Sequence, residues 1–189
     1  MHAWLCTTPT GVETLKWTEQ PTPAPGPGQV LLEIKAASLN FPDLLIVQNK
    51  YQIKPPLPFV PGSEYAGVVQ AVGEGVKHLK PGQHVACLSG TGGFATHTLA
   101  PAAMCMPLPE GFPAVDAAAF IMIYATSWHA LMDRAQLKAG ETVLVLGAGG
   151  MLFYSPATLA RMHAICAAHG VLFLADEVMT GWGRTGTLL

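Results

Sequence analysis

The stretch VLVLGAGGMLFYSPATLARMHAICAAHGVLFLADEV, residues 143–178, sets two apolar runs on either side of a glycine-rich turn and a helically spaced segment. Val143 to Leu146 leads into Gly147, Gly149 and Gly150. Glycines after a strand let the backbone approach a pyrophosphate at a helix N-terminus, which makes these three candidate cofactor-binding residues. The place of the third glycine in G-x-G-x-x-G, where helix and strand pack closely, is taken by Leu152. Ser155 and Pro156 make an N-cap and first-turn pair. Leu159, Met162 and Ile165 or Cys166 then recur at helical spacing, and Gly170 stands where a left-handed cap is expected. The run VLFLA that follows predicts a βαβ unit with a parallel strand pair. Neither strand alternates polar and apolar residues, so both are expected to be covered on two faces.

Upstream the pattern changes. To about residue 110 the chain is short β-like segments divided by Gly and Pro: QVLLEIKAASL, AGVVQAVG, HVACL and FATHTLAP. This reads as an all-β region. The proline-rich PTPAPGPG, residues 21–28, reads as a rigid connector ahead of a strand rather than a docking motif. LKPGQHV from Leu79 and LKAGETV from Leu137 are matching turns, in which Gly82 and Gly140 take positive φ and feed a strand. Between them AVDAAAFIMIYATSWHALMDRAQL has apolar spacing near 3.6, which predicts one or two helices.

Composition narrows the classes of function. Half of the 189 residues are hydrophobic and 12% are charged, against about 25% charged in an average globular domain. Exposed apolar area is therefore expected. A net charge of −2 offers no basic footprint for nucleic acid, and no Lys/Arg-rich amphipathic stretch suits a membrane surface. The N-terminus lacks a signal-peptide pattern, and a cytoplasmic location is expected. Cys6, Cys87, Cys105 and Cys166 show no C-x-x-C or zinc-ligand spacing and read as buried free thiols; the seven histidines are as scattered, so no metal site is expected.

The segments SLNFPDLLIVQNKYQIKPPLPFVPGSEYAGVVQAVGEGVKHLKPGQHV, GGFATHTLAP, YATSWHAL and LKAGETVLVLGAGG, in this order, resemble the medium-chain dehydrogenase/reductase superfamily, in particular its zinc-free NAD(P)H:quinone oxidoreductase branch. Where zinc-dependent relatives carry a Cys and a His, this sequence has Asn40 to Asp43 and Ser63. The resemblance implies a GroES-like barrel over 1–115, connecting helices and a first cofactor-domain strand over 116–150, and NADP or NAD as cofactor. It also implies a small quinone or enone as substrate. Asn40 and Tyr51 become candidate catalytic residues, able to hydrogen-bond a carbonyl or quinone oxygen as charge develops. Thr126 becomes a candidate cofactor-binding residue that holds the nicotinamide side group.

The remaining segment, GAGGMLFYSPATLARMHAICAAHGVLFLADEVMTGWGRTG, resembles class III aminotransferases, in particular the adenosylmethionine–8-amino-7-oxononanoate type, and implies a helix-strand fragment over 151–189. In that family the carboxylate at the place of Asp176 pairs with the pyridinium nitrogen of pyridoxal phosphate. No lysine follows Lys138 to form the internal aldimine, so pyridoxal phosphate is not expected to bind. In a dinucleotide fold Asp176 would instead take the ribose hydroxyls and favour NAD over NADP; it lies 29 positions beyond Gly147, against about 20 in such folds. Because GAGG suits both families, a join between them is expected at Gly147 to Gly150.

The fold class expected is thus a mainly β GroES-like barrel followed by a partial βαβ fragment, Rossmann-like or aminotransferase-derived. Four functional readings stay open: a quinone or enone reductase crippled by an incomplete cofactor domain, a non-catalytic barrel that self-associates through exposed parallel strands, a chimeric or truncated product, and an aminotransferase fragment.

Overall fold

A computed structural model of the protein describes residues 1–146 and 156–175. The chain divides into two compact units, Met1–Ala130 and Leu131–Leu189.

The first unit opens with strands β1 (His2–Leu5) and β2 (Lys16–Glu19), paired antiparallel. A five-stranded antiparallel sheet follows, built from β3 (Gln29–Ala37), β4 (Glu64–Val72), β5 (His84–Leu88), β6 (His97–Pro101) and β7 (Cys105–Pro107) in the order β6-β3-β4-β5-β7. The expected all-β region is thus present, with the predicted strand segments at β3 to β6. The β1–β2 ribbon is tied to the loops of the sheet by backbone hydrogen bonds. Trp4 N–H donates to Phe94 O at 2.9 Å, and Cys6 and Phe59 exchange both of theirs at 2.8 and 3.1 Å.

Burial along the strands follows from what covers each face. Val30, Leu32, Tyr65, Val69, Leu79, Val85 and Cys87 form one core cluster with Ala100, Ala102 and Cys105. On the opposite face, Ala66 of β4 and Ala86 of β5 meet Ala117 and Ala118 of helix α2 (Ala114–Ala118) and Ile121, which opens helix α3 (Ile121–Trp128). The first half of β4 is therefore buried on both faces, and small side chains let helix and sheet approach closely. Gly67 belongs to the same logic: a Cβ there would collide with the backbone carbonyl of Glu33 on β3. At the turn into β5, Gly82 has φ +84°, as the LKPGQHV phrase predicts.

Helix α1 (Phe41–Val47) has no strong periodic signature, yet its start is written in the residue types. Asn40 is the N-cap, Pro42 lies in the first turn, and Asp43 at N3 completes a capping box. Its buried residues Ile46 and Val47 pack with Cys6 and Phe59, and Tyr51 leans on this cluster.

The helical expectation for AVDAAAFIMIYATSWHALMDRAQL is met by α2, α3 and a π-helical turn over His129–Arg134. In the second unit β8 (Thr142–Leu146) and β9 (Val171–Ala175) pair in parallel, in register from Thr142↔Val171 to Leu146↔Ala175. Helix α4 (Pro156–Ala168) links them in sequence, and Gly170 has φ +64°. The predicted βαβ order is thus observed. Gly147, Gly149, Gly150, Ser155 and Asp176 lie outside the described residues. All four cysteines are buried and free. Among the described residues no helix is long and apolar enough to cross a membrane.

Candidate functional site

Two buried carboxylates organise the end of the sheet where α1 and α3 begin. Asp43 is 4% exposed and Glu64 fully buried. Asp43 Oδ2 accepts the Asn40 backbone N–H at 2.9 Å, while Asp43 Oδ1 accepts from the Ser63 N–H at 2.8 Å and from the Ser63 hydroxyl. A buried carboxylate is held in place by such donors, and Asp43 pins the residue before β4 to the start of α1.

Glu64 serves a second set of donors. Its Oε2 accepts from the Ser38 hydroxyl at 2.9 Å and the Asn40 side-chain amide at 3.3 Å. Its Oε1 accepts from the backbone N–H of Met122 at 2.9 Å. That N–H belongs to the first turn of α3, where amides lack intrahelical partners and the helix dipole favours negative charge. The side chain of Glu64 therefore joins Asn40 to α3. Thr126 follows Met122 by one turn, about 6 Å of helical rise, and is exposed.

The structure therefore links Asn40 and the helix carrying Thr126 through Glu64, and leaves Tyr51 half-buried beside the Cys6–Phe59 cluster. The Asn40 amide also donates to Ser38 Oγ at 2.8 Å. Both of its side-chain N–H groups thus point at protein oxygens, and donating to a substrate oxygen requires one of these two bonds to be given up. Among the described residues no group of three or more His, Cys, Asp or Glu converges as a metal site would.

Ser38, Asp43, Ser63 and Glu64 were not candidate site residues in the sequence reading. The Asn-x-x-Asp spacing of a capping box was a signal for Asp43. Nothing local announces Glu64, because its partners are 24, 26 and 58 residues away. A hollow of about 360 Å³ opens elsewhere in the first unit, lined by Pro55, Pro56, Pro58, Phe59, Thr91 and His97 among others. None of Asn40, Tyr51 or Thr126 lines it, and the chemistry of the Asn40–Glu64 cluster is the better guide.

Residues 26–110 match the alcohol dehydrogenase GroES-like domain family, and residues 141–189 match class III aminotransferases. The chain is 42% identical over 144 residues to the synaptic vesicle membrane protein VAT-1 homolog of Rattus norvegicus, covering 75% of this chain and 36% of that protein. It is 38% identical over 157 residues to the quinone oxidoreductase of Rattus norvegicus, covering 82% of this chain and 48% of that one. Among solved structures, the quinone oxidoreductase of Thermus thermophilus, also determined with NADPH, superposes with a TM-score of 0.68. Its identity to this chain is 33%, over 93% of this chain and 52% of its own. The chain thus spans about a third to about half of the length of these relatives. Residues 26–110 accordingly carry the GroES-like domain of the medium-chain dehydrogenase/reductase superfamily, with quinone oxidoreductases and VAT-1 homologues among its relatives.

Proposed function

We propose that the first unit is the substrate-side half of an NAD(P)H-dependent reductase of quinones or enones. The observation that carries this reading is the Glu64 bridge, which fixes the start of the helix bearing Thr126 against Asn40. The exposed Thr126 hydroxyl fits the carboxamide of a nicotinamide ring, which as the reduced cofactor supplies a hydride. Tyr51 is the donor to the substrate oxygen as it gains charge, and Asn40 is the group that positions the pocket wall. The aminotransferase match beginning at residue 141 favours a second element of the proposal, that the chain joins two families at Gly147 to Gly150. The residues that follow would then come from a family that does not grip a dinucleotide.

Affinity for the nicotinamide cofactors is accordingly expected to be at best about millimolar, since each lost 1.4 kcal/mol weakens binding about tenfold. Pyridoxal phosphate is expected not to bind. Calorimetric titration with NADPH, NADH and pyridoxal phosphate, paired with a quinone-reduction assay followed at the nicotinamide absorbance, tests both elements. Weak nicotinamide binding that the Thr126→Ala change removes supports the proposal. No nicotinamide binding and no turnover at any concentration overturns the reductase reading, and micromolar pyridoxal phosphate binding overturns the choice of parent family.

A further inference from the structure

Cys87 and Cys105 face each other across β5 and β7, in the register Val85↔Pro107, Ala86↔Met106, Cys87↔Cys105. The phase of the ladder follows from one further bond: Leu108 N–H donates to His84 O at 2.9 Å, so His84 and Leu108 are a hydrogen-bonded pair. In an antiparallel ladder such pairs alternate with non-hydrogen-bonded ones. Val85 and Pro107 are then non-hydrogen-bonded, in accord with a proline that has no N–H to give, and Cys87 and Cys105 two steps on are the same. Residues so paired have Cα atoms about 4.5 Å apart and their side chains close, within the roughly 4.4–6.8 Å that a disulfide spans.

We propose that Cys87 and Cys105 are an oxidisable pair, forming a reversible disulfide that staples the edge strand β7 to the sheet when a low-molecular-weight disulfide is the oxidant. Both thiols are buried, at 0% and 4% exposure, in the same core cluster. The facing Cys105 thiol holds the Cys87 thiol below its ordinary range, while Cys87 and desolvation push up the Cys105 thiol, which donates to Pro101 O at 3.5 Å. Cys87 is therefore the attacking sulfur. Its thiolate breaks the S–S bond of the small disulfide, bonds to one sulfur and releases the other as thiolate. Cys105 then gives up its proton and its sulfur attacks Cys87, releasing the second small thiolate. The two protein thiols are oxidised, the small disulfide is reduced to two thiols, and these take up the two protons.

Access comes from the topology. β7 is three residues long, among the described residues pairs with β5 alone, and carries Met106 at 46% exposure next to Met104 at 54%. Short edge strands open at low cost in free energy, and lifting β7 uncovers both sulfurs. The staple closes at the backbone next to the carboxylate cluster. Cys87 pairs with Tyr65, the neighbour of Glu64, and Ser89 N–H donates to Ser63 O at 3.0 Å.

The test is oxidation of the native chain with oxidised glutathione, followed by thiol alkylation and peptide mass mapping. The expected result is a Cys87–Cys105 cross-linked peptide about 2 Da lighter than the two reduced peptides together. It should be accompanied by loss of two of the four titratable thiols and reversal by dithiothreitol. The Cys105→Ser protein should accumulate glutathione at Cys87 instead. Oxidation that yields only glutathione adducts or intermolecular dimers, or that leaves all four thiols free in folded protein, would overturn the proposal. The mapping uses the unaltered chain, so it decides the matter even if Cys105→Ser fails to fold.

Discussion

The carboxylate of Glu64 accepts the backbone N–H of Met122 at 2.9 Å across 58 residues of sequence. A strand residue thereby caps a helix it does not adjoin. The same side chain holds Ser38 and Asn40, so the geometry around Asn40 and the start of α3 stand or fall together.

Glu64→Gln is expected to destabilise the first unit by about 1–3 kcal/mol, because the new amide N–H₂ faces donors on whichever side it is turned. Urea denaturation measures the loss. Amide hydrogen exchange at Met122 should accelerate beyond the global change. A denaturation midpoint and Met122 exchange rate equal to those of the unchanged protein would remove the capping role.

Asp43→Ala takes away the acceptor for Asn40 N–H and for both donors of Ser63. The expected cost is about 2–4 kcal/mol, combining a lost N-terminal capping box with buried donors left unpaired. Thermal melts read it directly. A Tm within one degree of the parent's would contradict the account of how α1 begins.

Two glycines separate crowding from backbone preference. At Gly67 an added Cβ meets the Glu33 carbonyl in the neighbouring strand, whereas at Gly75, with φ +80°, it meets open space. Gly67→Ala should cost about 3 kcal/mol by overpacking, and Gly75→Ala about 1 kcal/mol through its positive φ. Parallel urea titrations of the two variants give the comparison. Equal losses would mean that β3 and β4 are not held as closely as described.

Alkaline pH should weaken the fold. Burial pushes the Tyr65 phenol well above its ordinary range, and Cys105 and Cys6 are raised as well, the first chiefly by the facing Cys87 thiol and the second by burial. Each raised group keeps its proton in the folded chain after the unfolded chain has released it. Their stabilisation is present below the unfolded values, about 8.5 for thiols and 10 for phenols, and is lost as pH rises beyond them. The Tm is expected to fall from about pH 9 upward, and Tyr65→Phe should shed part of the decline above pH 10. Melting curves from pH 7 to 11 decide it, and a flat profile would show that these groups are not buried as described.

Much was legible in the chain. The segments QVLLEIKAASL, AGVVQAVG, HVACL and FATHTLAP marked strands as short β-like runs between Gly and Pro, the first of them alternating apolar and polar residues in its first half. Gly82, Gly140 and Gly170 marked turns because only glycine adopts their positive φ without strain. The family motifs supplied Asn40, Tyr51 and Thr126. Sequence reading stopped where interactions are non-local and carry no periodicity. That Glu64 would join Asn40 to Met122, that Asp43 would bind Ser63, and that Cys87 would face Cys105 across an edge strand were decided by strand order and register. A hydrogen bond or a thiol pair reports only which residue types can meet; closing the loops between them, at an entropic cost that grows slowly with length, is what the tertiary fold alone determines.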